Sequence, residues 1–365
     1  MAKLLTPRMV LRGFEAFVLV SVLTFAGILW YGNDLGAFWA SLGRIRWSWV
    51  LVGAGVASLD WFGGGLRLWV VLRHLIPGIP LRPLIVAGGM GAWGAYVTPA
   101  QSGAAPMMIY TMRRYGVPVP AAFTATLITF IATVLFFALA GPIAIAAGAG
   151  RSLGDRGNVL GLSLYDLFLG SLWLFVGIGV LLVAVIVFPR LFHRLLHRLS
   201  GWAMRRAPRF AHRLAAVQAG LDEAHRSVVA FNSPRGWLAL LLATLISGPS
   251  HGNKLLAGYV ALRAVGIEAH FVDVLLLQTM ITFLLYFFAP TPGGSGVAEV
   301  LSAAVMSIYV PRELTPLYTM MWRLVLSWFT LGVGGSIFYA WVRRGLKALD
   351  TGGGPGSPVV EPDPA

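Results

Sequence analysis

Two Thr-Pro stretches carry polar and helix-breaking residues into otherwise hydrophobic surroundings. The first, "YVTPAQSGAAPM" at residues 96–107, holds Thr98, Pro99, Gln101, Ser102 and Gly103. The second, "APTPGGSGVAEV" at residues 289–300, holds Thr291, Pro292, Gly293, Gly294, Ser295, Gly296 and the carboxylate Glu299. Proline removes a backbone donor and glycine weakens a helix, so each stretch frees amides and carbonyls that hydrocarbon cannot satisfy. Such backbone is tolerated only when packed in protein or facing a polar cavity. The chemistry this pattern points to is recognition, with hydroxyls, an amide and unwound backbone facing a hydrated or headgroup-accepting cavity. The plainer alternative is a pair of kinks that let helices pack closely.

Charges inside apolar segments narrow the reading. Asp60, Lys254, Glu299 and Arg323 each fall within one, at a cost of about 2.5–3.5 kcal/mol apiece at a helix centre unless partnered or hydrated. Glu299 with Arg323 is the first pairing expected. Asp60 with Arg67 is an alternative, since seven residues bring both to one helix face, although Arg67 stands near the end of its segment and is expected to snorkel outward. Lys254 lies beside the break in "SGPSHGNKLL", where it would meet a lipid phosphate, snorkel or pair with Glu299; His251 in the same stretch is a weak proton-relay candidate. Asp166 and Asp273 read as helix caps. Trp61 and Trp93 lie deep enough to line a cavity or fill a core, and core packing is the default.

No catalytic constellation emerges, and no Gly-rich loop followed by Lys-Ser/Thr is present for a nucleotide. Cysteine is absent, which removes disulfides, thiolate catalysis and Cys-based metal sites. His193 and His197 have metal-ligand spacing, but the arginines flanking them argue against a cation there. The expectation is no cofactor, no metal and no enzyme activity.

The elements that must position these residues are membrane helices. Of 365 residues, 57% are hydrophobic and 12% charged, about half the charge of a soluble domain. At about 1.5 Å per residue, roughly twenty apolar residues cross a 30 Å hydrocarbon layer. Full crossings are expected at 14–32, 47–72, 119–149, 164–188, 237–262 and 316–342, with "SGPSHGNK" leaving open whether 237–262 is one crossing or a broken helix. Two blocks interrupted by the Thr-Pro motifs, 84–116 and 271–311, are expected to be re-entrant hairpins. The fold class is thus an all-α polytopic membrane protein, with residues 1–350 as one integral membrane domain. The stretch after Phe14 is too long for a cleaved signal, and the Gly/Pro-rich 351–365 reads as a disordered tail.

Charge orients this arrangement. With the N-terminus inside, 19 of the 28 basic residues fall on cytoplasmic segments, as the positive-inside rule requires; N- and C-termini are both expected in the cytoplasm. Nucleic acid is not the partner this charge serves, because no aromatic-interleaved basic soluble domain accompanies it. Within the basic segment 189–235, Arg190, Arg194 and Arg198 recur beside a face of Leu191, Leu195, Leu199 and Trp202, the pattern of a helix lying on an anionic membrane surface.

The two motifs read as copies. Laying Thr98 on Thr291 aligns Pro99/Pro292, Ser102/Ser295, Gly103/Gly296, Ala105/Ala298, Val117/Val310 and Pro118/Pro311, seven matches in 21 positions. Three crossings separate the hairpins, so the copies would be inverted repeats, a recurring transporter design.

The "TPGGSGVAE" segment, followed by Trp322-Arg323, resembles the lysylphosphatidylglycerol synthase transmembrane family, as does "TPAQSGAAP" ending in Arg113-Arg114 and "YGVP". The resemblance covers roughly residues 14–345. It implies a bacterial or archaeal cytoplasmic-membrane protein implicated in lipid flipping, here without the soluble aminoacyl transferase domain of bifunctional members. The first motif departs from the family pattern, with Ala100 for its first glycine and Ala104 where an acid belongs, so no acidic role carries over there. The expected function is translocation of a phospholipid or glycolipid headgroup through a polar cavity. That missing acid, with Lys254 and Arg323, favours an anionic or sugar-bearing headgroup over a cationic aminoacyl one. An intramembrane enzyme on lipid-linked substrates, with Glu299 as acid or base, and a non-transporting scaffold for a lipid-modifying enzyme are the alternatives. Membrane lipids are the expected partners, with a homo-oligomer or a lipid-modifying enzyme as further ones.

Overall fold

The computed structural model describes residues 7–32, 35–148, 158–159, 162–206, 222, 226, 229 and 231–350. The expected tail at 351–365 lies outside them. Five helical segments among the described residues are long and apolar enough to cross a bilayer: Arg12–Trp30, Trp47–Leu75, Val119–Ala146, Phe168–Val187 and Arg312–Arg344. The first belongs to α1 (Pro7–Gly32), which precedes the short α2 (Leu35–Leu42). The second is α3 (Trp47–Ala57) and α4 (Leu59–Leu75), broken at Ser58. The third is α7 (Val119–Ala146), and the fourth lies in α8 (Leu164–Val187) behind a two-residue β-hairpin, β1 (Asn158–Val159) with β2 (Leu162–Ser163). The basic α9 (Pro189–Arg206) follows, its Leu191, Leu195, Leu199 and Trp202 exposed in the stripe expected of a surface helix.

The fifth expected segment, 237–262, which the sequence left open as one crossing or a broken helix, is broken. Residues there form α10 (Pro234–Ser250) and α11 (Gly252–Ala264), interrupted at His251. Pro249 lacks the amide that would continue the ladder, and the glycine and proline around it lower the cost of breaking.

Each Thr-Pro motif separates two helices. α5 (Leu81–Tyr96) precedes the first and α6 (Ala104–Arg114) follows it; α12 (Phe271–Phe288) precedes the second and α13 (Val297–Met306) follows it. At 1.5 Å per residue α6 and α13 are only about 15–17 Å long, half a hydrocarbon layer. The fifth long segment then runs through α14 (Thr315–Arg323), a π-turn at Leu324–Trp328 and α15 (Phe329–Asp350).

Glycines bring the helices around the first motif together. Gly64 and Gly65 of α4 pack against Gly88 and Ile85 of α5, and a Cβ on Gly88 would stand 2.6 Å from the Gly65 nitrogen. Small residues at such a crossing let backbones touch, which is how apolar helices gain packing where lipid supplies no hydrophobic contrast. A second tight contact sets Gly63 against Ser250, joining α4 to α10. Trp61 and Trp93 fill the core, as the default reading had it: Trp61 bonds Thr330 Oγ1 at 3.2 Å, and Trp93 packs on Phe338 with ring centroids 4.9 Å apart. Large apolar side chains such as Leu19, Trp30, Leu51, Ile143, Trp173 and Leu245 are exposed, as expected of faces that contact acyl chains.

Candidate functional site

The two Thr-Pro loops start on the same backbone path and diverge at Ser102 and Ser295, where ψ is -22° in the first and 139° in the second. Each begins with a 3-10 turn on the proline, Pro99–Gln101 and Pro292–Gly294. In each, the next two residues enter the left-handed region: Ala100 and Gln101 at φ 49° and 57°, Gly293 and Gly294 at φ 56° and 67°. These two aligned positions therefore match in conformation although the second loop uses glycine where the first uses Ala100 and Gln101. The loops also meet, since a Cβ on Gly293 would lie 3.1 Å from the Tyr96 carbonyl oxygen. Their hydroxyls serve them differently. Thr98 Oγ1 donates to the Gly94 carbonyl and accepts from the Gly103 amide, both at 2.7 Å, while Thr291 Oγ1 donates to the Ser295 carbonyl at 2.7 Å.

Glu299 and Arg323 form a closed pair. Arg323 Nε donates to Glu299 Oε1 at 2.8 Å and a terminal nitrogen donates to Oε2 at 2.6 Å, a two-pronged contact between side chains that are 1% and 3% exposed. The remaining valences are used as well. Arg323 reaches the Gly293 carbonyl at 3.0 Å, Ser21 Oγ donates to Oε1 at 3.1 Å, and the Gly296 amide donates to Oε2 at 2.8 Å, capping α13. Such a pair is tolerable in a low dielectric because each charge is met on every side. Its geometry pins the second loop to α1 and α14.

Beside the loops lies a cavity of about 440 Å³. Asp60, Gln101, Lys254, Gly293 and Gly294 are the sequence-selected residues that line it. The described cavity wall does not include Thr98, Pro99, Ser102, Gly103, Thr291, Pro292, Ser295, Gly296, Glu299 or Arg323; these build or brace the two loops. Ser295 is fully buried, its hydroxyl without a hydrogen-bond partner.

A polar cluster anchors one wall. Lys254 Nζ contacts Asp60 Oδ1 at 3.0 Å; Asn253 Nδ2 and the Tyr96 hydroxyl donate to Oδ2 at 2.6 and 3.1 Å. Tyr96 and Asn253 also reach the Leu326 carbonyl, at 2.7 and 3.1 Å. That carbonyl sits in the π-turn, the kind of irregularity that exposes a backbone oxygen inside a helix and recurs at functional sites. Asp60 is thus partnered by Lys254, 194 residues away, and not by Arg67.

Arg67 corrects a second expectation. It does not snorkel outward but lines the cavity, donating to Thr133 Oγ1 at 2.6 Å and Ser247 Oγ at 3.1 Å. Its position follows from the close α4–α5 and α4–α10 crossings, which turn the Arg67 face of α4 inward. Asp60 and Lys254 balance one another, so Arg67 leaves the lining charged residues with a net positive charge. His251, with Nδ1 bonded to the Ser247 carbonyl at 2.7 Å, stacks on Phe136 at the cavity edge. Thr126, Thr129 and Thr133 add a hydroxyl row from α7, spaced at i, i+3 and i+7 on one face. Of these contributors, Tyr96, Thr126, Thr129 and Thr133 escaped the sequence reading, though the threonine spacing in an apolar helix was a usable signal.

A UPF0104 membrane protein of Archaeoglobus fulgidus is 24% identical over 310 residues, spanning 84% of this chain and 90% of that protein. The description of the lysylphosphatidylglycerol synthase TM region matches residues 18–334. This polytopic membrane chain belongs to the lysylphosphatidylglycerol synthase TM region family.

Proposed function

We propose that the protein translocates a phospholipid or glycolipid, passing the headgroup through the cavity between the Thr-Pro loops while the acyl chains remain in lipid. The observation that carries this reading is the cavity itself, which places Asp60, Arg67, Tyr96, Gln101 and Lys254 on one wall system within a bundle whose outer faces are apolar. Charged side chains at such depth persist where they pair or face a polar path. With the Asp60–Lys254 charges balanced, Arg67 biases the cavity toward an anionic headgroup, and the hydroxyl row suits phosphate or sugar oxygens.

Alternating exposure would arise from two inverted halves. Supporting it, element boundaries repeat at the offset read from the motifs: Pro99 and Pro292, Ala104 and Val297, and the helix breaks at Ser58 and His251 are each 193 residues apart. In this reading the α5–α6 hairpin enters from the cytoplasmic side and the α12–α13 hairpin from the other, in a cytoplasmic membrane with both termini inside. Transport uses an ion gradient, a downhill lipid gradient or a partner, since the chain carries no nucleotide-binding motif.

Reconstitution into liposomes with headgroup-labelled phospholipids and a glycolipid tests this. Faster movement of at least one lipid between leaflets, with the lipid recovered chemically unchanged, supports transport. A converted lipid identified by mass spectrometry, with no movement, would replace the transporter with the intramembrane enzyme.

A further inference from the structure

The basic surface helix holds a second constellation, remote in role from the cavity. His193 and His197 stand one turn apart on α9, and both Nε2 atoms converge on a single oxygen, Oδ1 of Asp222, at 2.9 and 2.7 Å. Their rings lie with centroids 4.4 Å apart, tilted by 53° to one another. The three ligand atoms lie within 4.8 Å of one another. At 3.6 residues per turn the histidines project from the face opposite Leu191, Leu195 and Trp202, so the constellation lies away from the apolar stripe that meets lipid.

We infer that His193, His197 and Asp222 form a divalent transition-metal site, fitted to Zn²⁺, which ties Asp222 to the surface helix. Two imidazoles and one carboxylate are a three-ligand zinc set, leaving the fourth position to water or another donor. Zinc–nitrogen and zinc–oxygen bonds of about 2.0–2.2 Å in tetrahedral geometry separate ligand atoms by about 3.3–3.5 Å. The present spacing therefore opens by roughly half an ångström as the metal displaces the two imidazole protons that now bridge to Asp222. Arg190, Arg194 and Arg198, which had argued against a cation, are exposed to solvent, where their repulsion is screened. The sequence pattern lacked the anionic ligand, because Asp222 arrives 25 and 29 residues after the histidines. The metal would cross-link positions that far apart in sequence, where closure removes the most chain entropy.

The test is calorimetric titration of Zn²⁺ into the full-length protein in lipid nanodiscs, free of any polyhistidine tag, alongside Co²⁺ as a visible probe of tetrahedral coordination. One ion per chain is expected, with affinity lowered at least tenfold in His197→Gln and in Asp222→Asn and binding abolished in the His193→Gln/His197→Gln pair. All three ligands are partly exposed, and an unchanged thermal transition certifies that the variants fold. Absence of saturable binding to wild type, or undiminished binding in the double variant, overturns the assignment. The result is independent of lipid movement, so it stands or falls separately from the proposed transport.

Discussion

Gly293 and Ala100 occupy matching left-handed positions with opposite chemistry, and exchanging their side chains gives opposite results. Gly293→Ala places an L-residue at φ 56°, ψ 18°, which costs about 1–2 kcal/mol in backbone sterics. Its new Cβ would also stand 2.8 Å from Phe17 Cε2 and 3.1 Å from the Tyr96 carbonyl. Phe17 is 2% exposed and has the Arg323 guanidinium 5.6 Å from its ring, so it has little room to yield, and overpacking adds about 1–3 kcal/mol. The expected destabilisation is about 2–5 kcal/mol. Ala100→Gly removes a similar backbone penalty at an exposed position and gives back roughly 0.5–1 kcal/mol through a freer unfolded chain. Its net effect is neutral to about 1 kcal/mol stabilising. Thermal unfolding followed by intrinsic fluorescence of the detergent-solubilised protein reads both, with scan rate held fixed because membrane proteins unfold irreversibly. Gly293→Ala lowering the transition by several degrees while Ala100→Gly holds or raises it is the expected pair. The same shift in both variants, or none in Gly293→Ala, would refute the reasoning from loop geometry.

Further outcomes follow from the same contacts. Glu299→Gln strands the buried Arg323 charge and should cost about 3–5 kcal/mol, whereas Glu299→Gln combined with Arg323→Met recovers much of that; purely additive losses in a double-mutant cycle by thermal unfolding would contradict the pair's role as a brace. Lys254→Gln leaves Asp60 bonded to Tyr96 and Asn253, so the protein should remain monodisperse on size exclusion while lipid movement falls at least tenfold. Because the chain has no cysteine, introduced thiols report sidedness cleanly. Arg82→Cys, before the first hairpin, should label from the cytoplasmic side and Glu268→Cys, before the second, from the opposite side; labelling of both from one side would make the halves parallel.

The elements were legible in sequence to the extent that physics is local. Long apolar runs marked the crossings, and proline with glycine marked the loops, because a helix in lipid cannot hide a missing donor. Glu299 and Arg323 were legible as partners since each otherwise carries an intolerable charge. The partner of Asp60 was not, because Lys254 reaches it only through the α4–α10 and α4–α11 packing across 194 residues. Arg67 was misread for a related reason: its distance from the helix end suggested an exit to solvent, whereas the glycine contacts of α4 decide which way that face turns. The Leu326 carbonyl had no signature, since a π-turn within an apolar segment leaves the hydropathy unchanged.

The central claim, that the headgroup passes through the cavity, rests on residues that line it and not on those that merely brace the loops. Leaflet exchange in liposomes, measured for wild type, Arg67→Gln and Lys254→Gln with a labelled anionic phospholipid and a labelled glycolipid, tests it most directly. The account predicts rapid exchange by wild type and at least a tenfold loss in both variants, each shown to be folded. Wild-type exchange undiminished in both variants would place the lipid path elsewhere and contradict the account.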